Sequence, residues 1–166
     1  MDYPPTLKPH LRERIRLPSG KEIEVPKTEP LFKAWEGAPP DDTYGGKPLI
    51  DFKGRCHFAE ETILSMLQEV GWDGVWVDNY RGRFRCGEPP SKQKKLLHRV
   101  QQRAGIRGGC FDVYCWKGDA VLFAEVKRKG KDRMRPSQCR WLQAAIDCKL
   151  PLDSFLIVEW SISDQS

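Results

Sequence analysis

Histidine is scarce in this chain. The 166 residues include three, His10, His57 and His98, and none stands at zinc-finger spacing. The six cysteines, Cys56, Cys86, Cys110, Cys115, Cys139 and Cys148, contain no C-x-x-C pair. A structural zinc site is therefore not expected. No signal peptide precedes the cysteines, and a chain of this length buries enough surface to fold without staples. Reduced thiols in a cytosolic protein are expected rather than disulfides. No apolar run approaches the roughly 20 residues of a membrane span, so no membrane partner is expected. No internal repeat is present, which excludes a solenoid.

Positive charge is plentiful and unevenly spread. The formal net charge is +5. Residues 81–107 hold nine Lys/Arg against one Glu, and residues 127–140 hold seven against one Asp. The rest of the chain is net acidic. Two basic blocks on an acidic body point to a polyanionic partner, with a solvated basic surface as the plain alternative.

Residues 1–50 are rich in Pro and Gly and carry no recognisable chemistry. They read as an arm or lid, with one short strand at Lys21–Val25, ahead of a domain spanning 51–166. A helix is predicted over Phe58–Val70, closed by Gly71, with Ile63, Leu67 and Val70 as its apolar stripe. Glu60 falls on that stripe. A carboxylate there needs a partner, unless it serves the positive end of the helix. Gly74–Phe84 reads as one strand, with Arg81, Arg83 and Arg85 on a common face if it continues. Ser91 suits the N-cap of a basic amphipathic helix over Lys92–Ala104, which carries Lys94 and Lys95 outside its apolar side. Strands are predicted at Cys110–Trp116 and Ala120–Lys127, joined by a tight turn at Lys117-Gly118-Asp119. A helix follows from Pro136 to about Cys148, then a strand over Ser154–Trp160. This order predicts an α/β domain, a central mixed sheet flanked by helices.

The chemistry gathers between Gly108 and Leu142. Period-2 alternation puts Phe111, Val113 and Cys115 on one strand face and Asp112 on the other. On the next strand Glu125 and Lys127 share a face. Hairpin registry that brought Asp112 beside them would converge two carboxylates and an ammonium. Asp112 and Glu125, with the Val126 carbonyl, suit Mg²⁺, which takes hard oxygen ligands and keeps several waters. Such an ion polarises a phosphate and acidifies a bound water. Lys127 would orient that water or offset developing charge. A buried Asp/Glu/Lys ion-pair network is the architectural alternative. Gln138 lies on the inward stripe of its helix, with Trp141, Leu142 and Ala145. It would reach the attacking water, a phosphate oxygen or a buried backbone group. The loop between strand and helix carries Arg128, Lys129, Lys131, Arg133 and Arg135, a cationic run that DNA phosphates would neutralise.

The ordered set Asp112, Glu125-Val126-Lys127, Gly130, Asp132-Arg133, Arg135-Pro136, Gln138 and Trp141-Leu142 resembles the PD-(D/E)XK nuclease superfamily, and within it the VRR-Nuc domain. The resemblance is close over Gly108–Leu142 and extends over about 56–160. It implies a restriction-endonuclease-like fold and Mg²⁺- or Mn²⁺-dependent phosphodiester hydrolysis. By position it implies Asp112 and Glu125 as metal ligands, Lys127 as catalytic lysine and Gln138 as a further active-site group. Glu60 matches the first-helix Glu that such enzymes often add to the metal site. Phe111 departs from the family pattern, which has Pro before the Asp. Family analogy further implies branched or flapped DNA as substrate, a homodimer, and a bacterial or phage-type intracellular setting. A nucleic-acid-binding module that no longer cleaves is the alternative function.

Overall fold

The computed structural model describes residues 1–163. Ten strands form one mixed sheet: β1 (Leu11–Arg16), β2 (Glu22–Thr28), β3 (Leu31–Ala34), β4 (Ile50–Phe52), β5 (Arg55–His57), β6 (Asp73–Asp78), β7 (Arg83–Arg85), β8 (Val113–Lys117), β9 (Ala120–Arg128) and β10 (Phe155–Ile162). Their order is β5-β4-β3-β10-β9-β8-β6-β7. The β9–β10 ladder is parallel; the β8–β9 and β6–β8 ladders are antiparallel. Beyond β10, the edge is shared: β2 pairs with Ile157 and Val158, and β3 with Ser161 and Ile162. Three helices, α1 (Ala59–Glu69), α2 (Ser91–Ala104) and α3 (Pro136–Asp147), cover the sheet. The expected α/β architecture with a mixed sheet and flanking helices is what the chain forms. Among the described residues no helix is long and apolar enough to cross a membrane.

Burial explains the layering. Strand β9, AVLFAEVKR, is buried from Val121 to Lys127, as a central strand covered on both faces must be. Its alternate side chains feed two cores. Val121 and Phe123 join α3 and the β1–β2 hairpin in one; Leu122, Ala124 and Val126 meet α1 in the other. The first core is dense with aromatics. Phe123 stacks flat on Tyr114 at 4.3 Å between centroids, and Trp141 of α3 stands edge-on to Phe123 at 4.9 Å. Phe111 and Phe155 complete the group, each fully buried. Burying a side chain of this size contributes about 1.5–3 kcal/mol. Trp141 thereby fixes the rotation of α3, and Phe111, 5.2 Å from Trp141, fixes the residue before Asp112.

Four local readings change. Gly74–Phe84 is a hairpin rather than one strand. The Asp78 carboxylate accepts the Arg81 N–H at 3.1 Å and Gly82 takes φ +63°, so the chain turns between β6 and β7. Arg81 therefore sits in the turn, off the strand face it was expected to share. Ser91 is the first residue of α2, and Pro90 precedes it with no side-chain cap. Phe111 and Val113 lie in opposite cores, because regular strand geometry begins only at Val113. Residues 1–50, set apart in the sequence as an arm or lid, supply three strands of the sheet. Their stretch 35–49 is the part that runs toward the cleft described next. All six cysteines are free thiols.

Candidate active site

The register of β8 on β9 settles the convergence that the sequence left open. Val113 pairs with Ala124 and Tyr114 with Phe123, so one further step sets Asp112 opposite Glu125. Asp112 has left the strand there. Its Oδ2 accepts the Val126 N–H at 2.9 Å, in the place where a strand carbonyl would have accepted it. An extended residue turns its N–H and C=O to the same edge, so the Val126 carbonyl lies on this side too. The Asp112 carbonyl accepts the Val77 N–H at 2.7 Å, tying the segment to β6. Gly109 makes this path possible. It has φ +76°, and a Cβ would meet the Ser137 carbonyl oxygen at 2.4 Å.

Glu125, Lys127 and Gln138 form a closed triangle. Lys127 Nζ lies 2.9 Å from both Glu125 Oε1 and Gln138 Oε1, and Gln138 Nε2 donates to Glu125 Oε1 at 2.5 Å. Gln138 Oε1 also accepts the Arg135 N–H at 2.9 Å, one of the free donors at the start of α3. The glutamine thus orients the acid and the base of β9 and caps its own helix. All three side chains are buried.

This cluster is short of positive charge. Burial pushes the Asp112 carboxyl well above the usual carboxylate range, and the charges of Glu125 and Glu60 push it further, against the Val126 N–H. Burial also raises Glu125, opposed by Lys127, by the hydrogen bond it shares with the Asp112 carboxyl, and by Gln138. With Asp112 ionised, Glu125 Oε2 is buried and has no hydrogen-bond partner. An orphaned carboxylate oxygen beside a second, destabilised carboxylate fits a hard divalent cation. Among the described residues no three His, Cys, Asp or Glu side chains stand close enough to hold an ion by themselves. Asp112, Glu125 and the Val126 carbonyl are the oxygen donors this end of the cleft offers.

Glu60 reaches the same cleft but is engaged. Lys47 Nζ, from the 35–49 stretch, lies 2.5 Å from its Oε1. Capping of α1 falls to the neighbour, since Glu61 accepts the Phe58 N–H at 3.2 Å.

The cleft has a volume of about 880 Å³ and is lined at its floor by Asp112, Glu125, Lys127 and Gln138. Arg128, Lys131, Arg133 and Arg135 rim it, as the cationic loop led one to expect. Lys129 does not; it turns to Glu29, 3.3 Å away. Lys94 and Lys95 lie on the outer side of α2, in a separate shallow depression with His98 and Arg99. Sequence reasoning missed the far wall: Tyr44, Lys47, Trp76, Asp78, Asn79 and Tyr80. Tyr44 donates its hydroxyl to buried Asp78 at 3.1 Å, receives Arg83 at 3.0 Å, and lies 3.9 Å under the Arg81 guanidinium. Asp42 clamps Arg81 in turn, and that bond holds its carboxyl down to about 2. The closely spaced arginines were the one signal for this wall. Comparison with family models, curated proteins and solved structures returns no match for this chain.

Proposed function

We propose that this chain is a metal-dependent nuclease that hydrolyses phosphodiester bonds in DNA, built on a restriction-endonuclease-like core of the VRR-Nuc type. The observation that carries the reading is the orphaned Glu125 Oε2 beside the destabilised Asp112, at the floor of an arginine-rimmed cleft. Asp112, Glu125 and the Val126 carbonyl would hold Mg²⁺ or Mn²⁺, which would supply Lewis-acid polarisation of the phosphate and a more acidic water. Lys127 sets a positive charge near the phosphoryl oxygens that carry the negative charge of the transition state. Gln138 fixes Glu125 and Lys127 in one arrangement before substrate arrives. The arginines and Lys131 at the rim bind flanking phosphates and leave base identity unread. Branched or flapped DNA is the substrate class that the family resemblance adds.

A cleavage panel of single-stranded, duplex, flap and four-way DNA with Mg²⁺ or Mn²⁺ tests this. Cutting is expected with metal and is lost in EDTA. Lys127→Ala should lose about 10²–10³-fold in rate while keeping most DNA affinity. A wild-type protein that binds DNA with steep salt dependence and cuts no substrate would make it a binding module instead.

A further inference from the structure

Tyr80 has no place in the chemistry described so far. It occupies the tip of the β6–β7 turn and lines the same cleft as Asp112 and Glu125. Its surface is 86 % exposed, and among the described residues it is the one exposed Phe, Trp or Tyr. A single exposed tyrosine is ordinary on a protein surface; what sets Tyr80 apart is that its ring lies in the cleft that holds Asp112 and Glu125.

Hydrogen bonds pin the turn beneath it. Asn79 Nδ2 donates to the Cys110 carbonyl at 2.8 Å, which pins the tip to the segment leading into Asp112. Asp78, 3 % exposed, holds the Arg81 N–H at 3.1 Å. The Arg81 side chain is spent on Asp42 and the Tyr44 ring, so it does not cover Tyr80. Across the same cleft run Arg128, Lys131 and Arg133. A strand bound along this cleft would therefore pass both the cations and the tyrosine.

We propose that Tyr80 is a stacking platform for an unpaired nucleobase at the mouth of the cleft. The inference rests on the cleft being a DNA site. A base inside a duplex has both faces covered by its neighbours, whereas an unpaired nucleotide offers a free π-face. Stacking of a base on an aromatic side chain is tolerant of base identity and strong enough to set preference between paired and unpaired DNA. Tyr80 thus selects for an unpaired nucleotide near the scissile position, without reading its sequence.

The test uses the full chain in EDTA, where the proposed cleavage is silent. The probe is a DNA hairpin with a short single-stranded tail carrying 2-aminopurine, and a blunt hairpin of the same stem serves for comparison. Wild-type protein should bind the tailed hairpin more tightly and quench the fluorescent base. Tyr80→Ala should lower tailed-hairpin affinity by roughly 5- to 150-fold, the span that one stacked base supports, and abolish the quenching. Tyr80→Trp should restore both. An unchanged melting temperature shows that the exposed substitution leaves the fold intact. Equal quenching and affinity in Tyr80→Ala would overturn the stacking role while leaving the DNA cleft standing. No salt-dependent binding of either hairpin by wild-type protein would remove the cleft reading itself, and this inference with it.

Discussion

Replacing Gln138 by leucine, close in volume and without polar atoms, is the sharpest probe of how the site is held. The substitution removes two hydrogen bonds to charged partners, Glu125 and Lys127, and one to the Arg135 N–H. Bonds to charged groups contribute about 1.5–3 kcal/mol each and a neutral one about 0.5–1.5, a gross loss of roughly 3.5–7.5 kcal/mol. Two effects offset this. Lys127 and Glu125 still hold one another at 2.9 Å, and leucine adds apolar burial beside Trp141. A net loss of about 2–4 kcal/mol remains, most of it from the stranded donors and acceptors. For a domain of this size, 1 kcal/mol moves the melting temperature by about 2–4 °C, so a fall of roughly 5–15 °C is expected by calorimetry. Activity should fall about 10–100-fold in kcat, with KM little changed, as when a group that orients active-site ligands is lost. A melting temperature within 1 °C of wild type, with unaltered kcat, would refute the reasoning. Glu125 and Lys127 would then be oriented by the strand alone.

Asp112 gives a pH prediction. Its carboxyl is raised in the folded state, so between the unfolded value of 3.8 and the higher folded value the native chain holds a proton that the unfolded chain has released. Metal-free stability from this group is full below about 4 and is lost as pH rises, by at most about 1.4 kcal/mol per pH unit. Urea titrations in EDTA should show Asp112→Asn gaining on wild type as pH increases, and added Mg²⁺ should stabilise wild type alone; parallel pH profiles would sink the idea. On the rim, Lys131→Ala with Arg133→Ala should reduce the slope of log affinity against log salt by about one per lost contact. Lys129→Ala, directed at Glu29, should leave that slope unchanged, and a drop would mean that the loop turns over on DNA.

The Glu125–Lys127–Gln138 half of the candidate site was legible because strands and helices impose a period. Glu125 and Lys127 lie two apart on a strand, so they must share a face, and Gln138 lies one turn before Trp141, so it must look inward. Registry supplied the rest, since a two-residue turn at Gly118-Asp119 fixes the β8–β9 pairing as far as Val113. The far wall was not legible. Tyr44 sits in an irregular stretch with φ +53°, and its arginine partners lie 37–41 residues along the chain. No periodicity announces such a contact. The hairpin inside residues 74–84 was hidden by its β-rich flanks, although Asp78, Asn79 and Gly82 are ordinary turn residues. Phe111 stands where the resemblance expects proline. Its contact with Trp141 positions the backbone by packing in place of a locked φ.

The shared edge of β10 has a kinetic consequence. Strands β2 and β3 are synthesised well before β10, yet each takes its parallel partner from residues 157–162. At about 5–20 residues per second, the interval between making β3 and making β10 is on the order of 10 s. Through it the β1–β2 hairpin has no partner from β10; Glu22, Glu24, Arg12 and Arg14 are exposed along it. Those charges discourage neighbouring nascent chains from zipping onto the waiting edge. The long sequence separation also predicts slow refolding for a domain of this length. Strand β10 therefore acts as a clasp, and Glu125 and Lys127 stay on an open-edged strand until it closes.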